Sequence, residues 1–89
     1  VEDKRFDEPV HVLLGPPGKI RVVTSALQAA DALLNQWPAK PTRRHRTARQ
    51  AVVDALEGIK DASAARKAFA AAADEASILV PIERIIHRP

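Results

Sequence analysis

Hydrophobic positions recur at every second residue from Val10 to Leu14 and again from Ile20 to Val22, and the spacing then lengthens to a helical one from Leu27 to Trp37. A period of two puts alternate side chains on opposite faces of a strand, whereas a period near 3.6 gathers them on one face of a helix. The stretch predicts a β-hairpin that feeds directly into an amphipathic helix. Matching Leu14 with Ile20 and Val12 with Val22 places Val10, Val12, Leu14, Ile20 and Val22 on one inward face. Gly15 to Lys19 is then the connecting loop, where the prolines cannot donate ladder bonds and the glycines tolerate positive φ. A register one residue away would set Val12 against Arg21, which makes it the less favoured pairing.

Ser25, with Gln28 three residues on, has capping-box spacing and starts the first helix. Leu27, Ala30, Leu34 and Trp37 form its expected buried stripe, and Pro38 stops it. Thr42 caps a second helix, with Ala48, Val52, Ala55, Leu56 and Ile59 inward and Gly58 as the residue that closes it. Asp61 caps a third, alanine-rich helix whose inner stripe is Ala65, Ala68, Phe69, Ala72 and Ala76. Ser77 to Val80 returns to a strand-like pattern before Pro81. The expected fold class is α+β: a small three-stranded antiparallel sheet, made of the hairpin plus a C-terminal strand, packed on three helices in the order ββαααβ. Residues 1–8 read as a flexible charged arm, 9–80 as a single domain and 81–89 as a tail whose isoleucines are too apolar to be left in water.

Composition narrows the chemistry. The 89 residues suffice for one modest core. Only Phe6, Trp37 and Phe69 are aromatic, so closely spaced helices must supply packing that bulky side chains do not. There is no cysteine, hence no disulfide, thiolate nucleophile or cysteine zinc site. No apolar run approaches a membrane span of about 18 residues, and no signal-peptide pattern opens the chain, so a cytoplasmic location is the expectation. The formal net charge of +3 conceals an uneven distribution. Lys40, Arg43, Arg44, Arg46 and Arg49 fall together with no acid among them, and the rest of the chain is mildly acidic.

Each motif with chemical content has a plainer explanation. Gly15-Pro16-Pro17-Gly18-Lys19 looks like part of a phosphate-binding loop, but Leu13 stands where its first glycine belongs and Ile20 where its Mg²⁺-binding Ser or Thr belongs. A strand, and not a helix, is predicted after the lysine. His11, His45 and His87 lack the spacing of a helical metal site, and the carboxylate pairs lie in solvated contexts. No catalytic residue, cofactor or metal is expected, and the protein is not expected to be an enzyme.

Pro9-Val10-x-Val12, Trp37-Pro38 and the run Ala65-Arg66-x-Ala68-Phe69-x-x-Ala72-Ala73-x-Glu75-Ala76 together resemble a family of short alphaproteobacterial proteins, the domain of unknown function 982. The likeness covers roughly Pro9 to Val80. It implies a stand-alone small bacterial domain and brings no catalytic residues.

Two binding surfaces are expected. With the hairpin in the register above, Leu13, Val23 and Leu79 share an outward apolar face. That face, or Ile85 and Ile86 of the tail, would meet a protein partner or a second copy of the chain. On this reading Leu13→Asp leaves a folded monomer. Alternatively, Arg43, Arg44, Arg46 and Arg49 project from the start of the second helix and would bind an anion or nucleic acid weakly. No aromatic is interleaved with them to stack on bases, and few Asn or Gln lie nearby to read base edges. The favoured reading is a non-enzymatic interaction or self-association module with no membrane contact, and the alternative is the weak anion or nucleic-acid binder.

Overall fold

A computed structural model describes residues 3–14, 19–38 and 40–80. Its elements are β1 (Arg5–Leu13), β2 (Ile20–Ser25), α1 (Ala26–Asn35), α2 (Arg43–Leu56) and α3 (Ala62–Glu75). The strands form a two-stranded antiparallel sheet. The inner layer holds Val10, Val12, Leu14 and Val23 from the hairpin against Ala29, Leu33, Val52, Phe69 and neighbouring alanines of the helices.

The hairpin register differs from the one the pattern favours. Val10 pairs with Val23, His11 with Val22, Val12 with Arg21 and Leu13 with Ile20. Val23 is therefore inward and 0% exposed, whereas Ile20 and Val22 turn outward at 49% and 46%. Ile20-Arg21-Val22-Val23 is apolar at three of four positions, so alternation alone does not decide which parity is buried. Two contacts decide it. Ser25 must face inward to cap α1, and Val23 and Arg21 share its parity. Arg21 is tolerated on that face because its guanidinium reaches Asp31 on α1 at 3.1 Å.

The start of the chain, expected as a flexible arm, is built into the fold from Asp3 onward. Residues 5–8 belong to β1, and Arg5 pairs with Ser25 beyond a bulge. Asp3 Oδ1 accepts from Leu27 N–H at 3.0 Å and the Lys4 carbonyl accepts from Ala26 N–H at 2.8 Å. With Ser25 Oγ accepting from Gln28 N–H, the first three donors of α1 are all satisfied. Gln28 Oε1 completes the cap by accepting from Thr24, and not from Ser25 as a standard capping box would have it.

Both C-terminal closures of the later helices follow one pattern. Gly58 at φ +81° lets Ile59 N–H reach the Asp54 carbonyl and Gly58 N–H reach Ala55, which ends α2. Ser77 at φ 62° does the same for α3, with Ile78 N–H bonded to Ala73 and Ser77 N–H to Asp74. This second closure explains why the expected C-terminal strand is absent. Ile78 and Leu79 both direct their N–H groups at the Ala73 carbonyl, so the segment finishes a helix before it can extend a ladder. What remains is one isolated bridge between Val12 and Leu79, made by Leu13 N–H to Ile78 and Val80 N–H to His11. The sheet has two strands, not three.

The buried stripe of α1 is also rotated from expectation. Ala26, Ala29, Ala32 and Leu33 are buried, while Leu27 and Leu34 are exposed. Apolar residues almost encircle this helix, so their spacing alone does not decide which side the core takes. On α2, Ile59 is exposed and His45 and Ala51 join the buried set.

Surface ion pairs tie the layers together. Asn35 and Arg21 donate to Asp31 and hold its carboxyl below the ordinary 3.8, and the Arg66 bond at 2.8 Å does the same for Asp7. A carboxyl whose folded pKa lies below its unfolded value contributes stability above the unfolded value and loses it as pH falls through the folded one. The urea midpoint is therefore expected to fall as pH drops below about 4, and to fall less steeply in Asp31→Asn, which starts lower at neutral pH. Parallel curves for the two proteins would remove Asp31 from this account.

Candidate functional site

Two surfaces of the fold present groups that its own packing does not use. The first is a groove of about 410 Å³ between α1 and α2. Ala30, Leu33 and Leu34 form one wall and Val52 and Val53 the other, with Arg46, Arg49 and Gln50 at the polar side. Leu34 reaches 63% exposure here as a direct consequence of the rotated α1 stripe. Arg49 is half-buried, and its Nε is buried without an acceptor among the described residues.

The basic cluster is split by this arrangement. Arg46 and Arg49 turn toward α1, whereas Arg43 and Arg44 line a smaller groove of about 240 Å³ beside Thr47, Ala68 and Ala71 on the α3 side. Arg44 Nε lies 3.6 Å from Glu75, whose other oxygen accepts from the Thr42 hydroxyl. Thr42 Oγ1 in turn accepts from His45 N–H and caps α2, as its position in the sequence predicts. No carboxylate pairs with Arg43, Arg46 or Arg49 among the described residues.

His45 is a packing residue. Its Nε2 lies 2.9 Å from the Leu33 carbonyl, which can only accept, so Nε2 is the donor of that bond, and Nδ1 is buried without a partner among the described residues. The ring packs 5.3 Å from Trp37, and Trp37 meets Phe69 edge-on at 5.9 Å. His45 thereby satisfies a carbonyl in the last turn of α1 while anchoring the first turn of α2. His11 is half-buried on the outer face of β1, opposite Val22. His87 and the loop Gly15 to Gly18 lie outside the described residues.

The second surface is the outer face and edge of β2. Leu13 N–H and His11 C=O point away from β2, because they bond to Ile78 and Val80 on the other side. In an antiparallel ladder their partners Ile20 and Val22 then direct their own backbone groups away from β1. Those groups have no partner among the described residues, and the same two residues carry the exposed apolar side chains. The apolar face expected from Leu13, Val23 and Leu79 is thus reassigned. Val23 is in the core, Leu13 and Leu79 are half-buried against it, and Ile20 and Val22 are the exposed members. Parity of β2 was the missing signal, and Asp31 as a partner for Arg21 was the clue to it. Ile85 and Ile86 lie outside the described residues.

No described helix is long and apolar enough to cross a membrane. Hairpin, three helices and these two surfaces define a small α+β domain. Residues 8–80 match the family described as Protein of unknown function (DUF982), and the chain belongs to that family, in agreement with the likeness of its Trp-Pro and Ala-Arg-x-Ala-Phe segments. No curated protein and no solved structure matches the chain.

Proposed function

We propose that this domain is a non-enzymatic interaction module that self-associates through the edge and outer face of β2. The observation that carries this reading is the coincidence, at Ile20 and Val22, of exposed apolar side chains with backbone groups that have no partner among the described residues. A strand with an open edge is a template for another strand, and proteins that avoid such pairing place charges or proline there. The outward residues of β2 include neither, and its one charge, Arg21, is turned under and neutralised by Asp31. A two-fold axis through Val22 lets its N–H and C=O exchange both bonds with the same groups of a second copy, and it converts two two-stranded sheets into one of four strands.

Divergence of the arginines over two grooves weighs against the nucleic-acid alternative, which calls for cations aligned along one face. The test is sedimentation of the wild type beside Val22→Asp. Wild type is expected to move toward twice the chain mass as concentration rises. In the variant two carboxylates would lie directly opposite one another across the two-fold, and it is expected to remain a monomer. Equal masses for the two proteins at every concentration would overturn the proposal.

A further inference from the structure

The α1–α2 groove has a chemistry that self-association through β2 does not use. We infer that it binds a small organic acid, a compact apolar body carrying one carboxylate, with the carboxylate held by Arg49 and Arg46. Three observations converge on this class. The groove's volume of about 410 Å³ falls in the range of small-molecule sites. Its walls are aliphatic, and two of them, Leu34 and Val53, are exposed leucine and valine side chains that an apolar body would remove from water. Its polar side is cationic, and both arginines lack a carboxylate partner among the described residues.

Arg49 adds direction to the charge. Arg49 lines the groove, and the Nε edge of its guanidinium is packed out of reach of solvent without an acceptor among the described residues, which leaves the outer Nη groups to meet a ligand. The two Nη–H groups form a planar fork that matches the two oxygens of a carboxylate. Arg46, one helical turn earlier on the same side of α2, adds a second positive charge. Gln50 offers an amide at the groove's edge for any further polar atom of the ligand. Since α1 has only ten residues, the groove is short, and this favours a small molecule over an extended helix of a partner protein.

Phenylbutyrate is a suitable probe, with phenylbutanol as its neutral counterpart and inorganic phosphate as an anion without an apolar body. The readout is the Arg49 side-chain Nε–H resonance together with the methyl signals of Leu34 and Val53. Phenylbutyrate is expected to shift all three saturably, with phenylbutanol and phosphate at least about tenfold weaker, a difference of about 1.4 kcal/mol. Arg49→Gln is expected to weaken phenylbutyrate binding by a similar factor. Leu34→Asp changes an exposed position, leaves the fold intact and is expected to abolish binding by placing a like charge in the groove. No shift of the Arg49 resonance, equal binding of the alcohol, or a response to phosphate as strong as to the acid would overturn the inference. So would binding that Leu34→Asp leaves unchanged, or a groove that responds to an acidic peptide but not to phenylbutyrate.

Discussion

Replacing Phe69 by alanine is expected to destabilise the domain by about 3–5 kcal/mol, the cost of deleting a large buried aromatic. Phe69 is 0% exposed and is the largest fully buried side chain. Its surroundings explain why the effect belongs in the upper part of that range. Much of the remaining core is alanine, which has no rotamers with which to fill a void, so the cavity left by the ring stays open. Trp37, in edge contact with the ring, also loses its support, and through it the packing of His45 against the end of α1. A domain of this size has a total stability of only about 5–15 kcal/mol, so the variant should be partly unfolded at moderate temperature. Urea unfolding followed by Trp37 fluorescence measures the loss directly. A loss below about 1.5 kcal/mol would mean that the core closes around the gap, against what an alanine-lined site permits.

The second large effect separates two adjacent valines. Val23→Asp is expected to prevent folding, because an unpaired carboxylate at a fully buried position costs several kcal/mol, comparable to the stability of the whole domain. Val22→Asp, on the exposed face, is expected to stay within about 1 kcal/mol of wild type when both are compared as dilute monomers. The register suggested by hydrophobic alternation predicts the reverse order. Circular dichroism melts of the two variants decide between them: a folded Val23→Asp with an unfolded Val22→Asp would contradict the pairing of Val10 with Val23.

Much of the fold is written locally and can be read there. Ser25, Thr42 and Gly58 act at the helix ends where their types and spacing place them, and Phe69 is the large core side chain of α3 as its stripe implies. Features settled by long-range choice are harder to read. Both faces of β2 and two faces of α1 are apolar enough to be buried, and only the contact between Arg21 and Asp31 and the cap at Ser25 select among them. The segment after α3 has strand-like composition, yet Ser77 in a left-handed conformation spends its N–H groups on the helix end. Asp3 capping α1 joins residues more than twenty positions apart, which no local spacing reveals.

The same distinction holds for the surfaces. Arg43, Arg44, Arg46 and Arg49 are adjacent in sequence, but their fan around α2 is divided when α1 and α3 pack on either side. The cluster is legible as a basic segment, whereas its separation into two grooves depends on which α1 stripe is buried. Leu13→Asp, the substitution that the alternation pattern recommends, would disturb a half-buried side chain packed on the core, so Val22→Asp is the cleaner probe of self-association.

Amide hydrogen exchange at Ile20 and Val22 tests most directly the proposal that the backbone of β2 pairs with a second copy. Exchange at Ile20 and Val22 is expected to be fast in dilute protein and to slow as concentration rises. Leu13, whose N–H is bonded to Ile78 within the chain, should be protected throughout. Val22→Asp should keep the Ile20 amide fast at every concentration. Ile20 and Val22 amides that exchange at one fast rate from dilute to concentrated wild-type protein, beside a protected Leu13, would contradict the account.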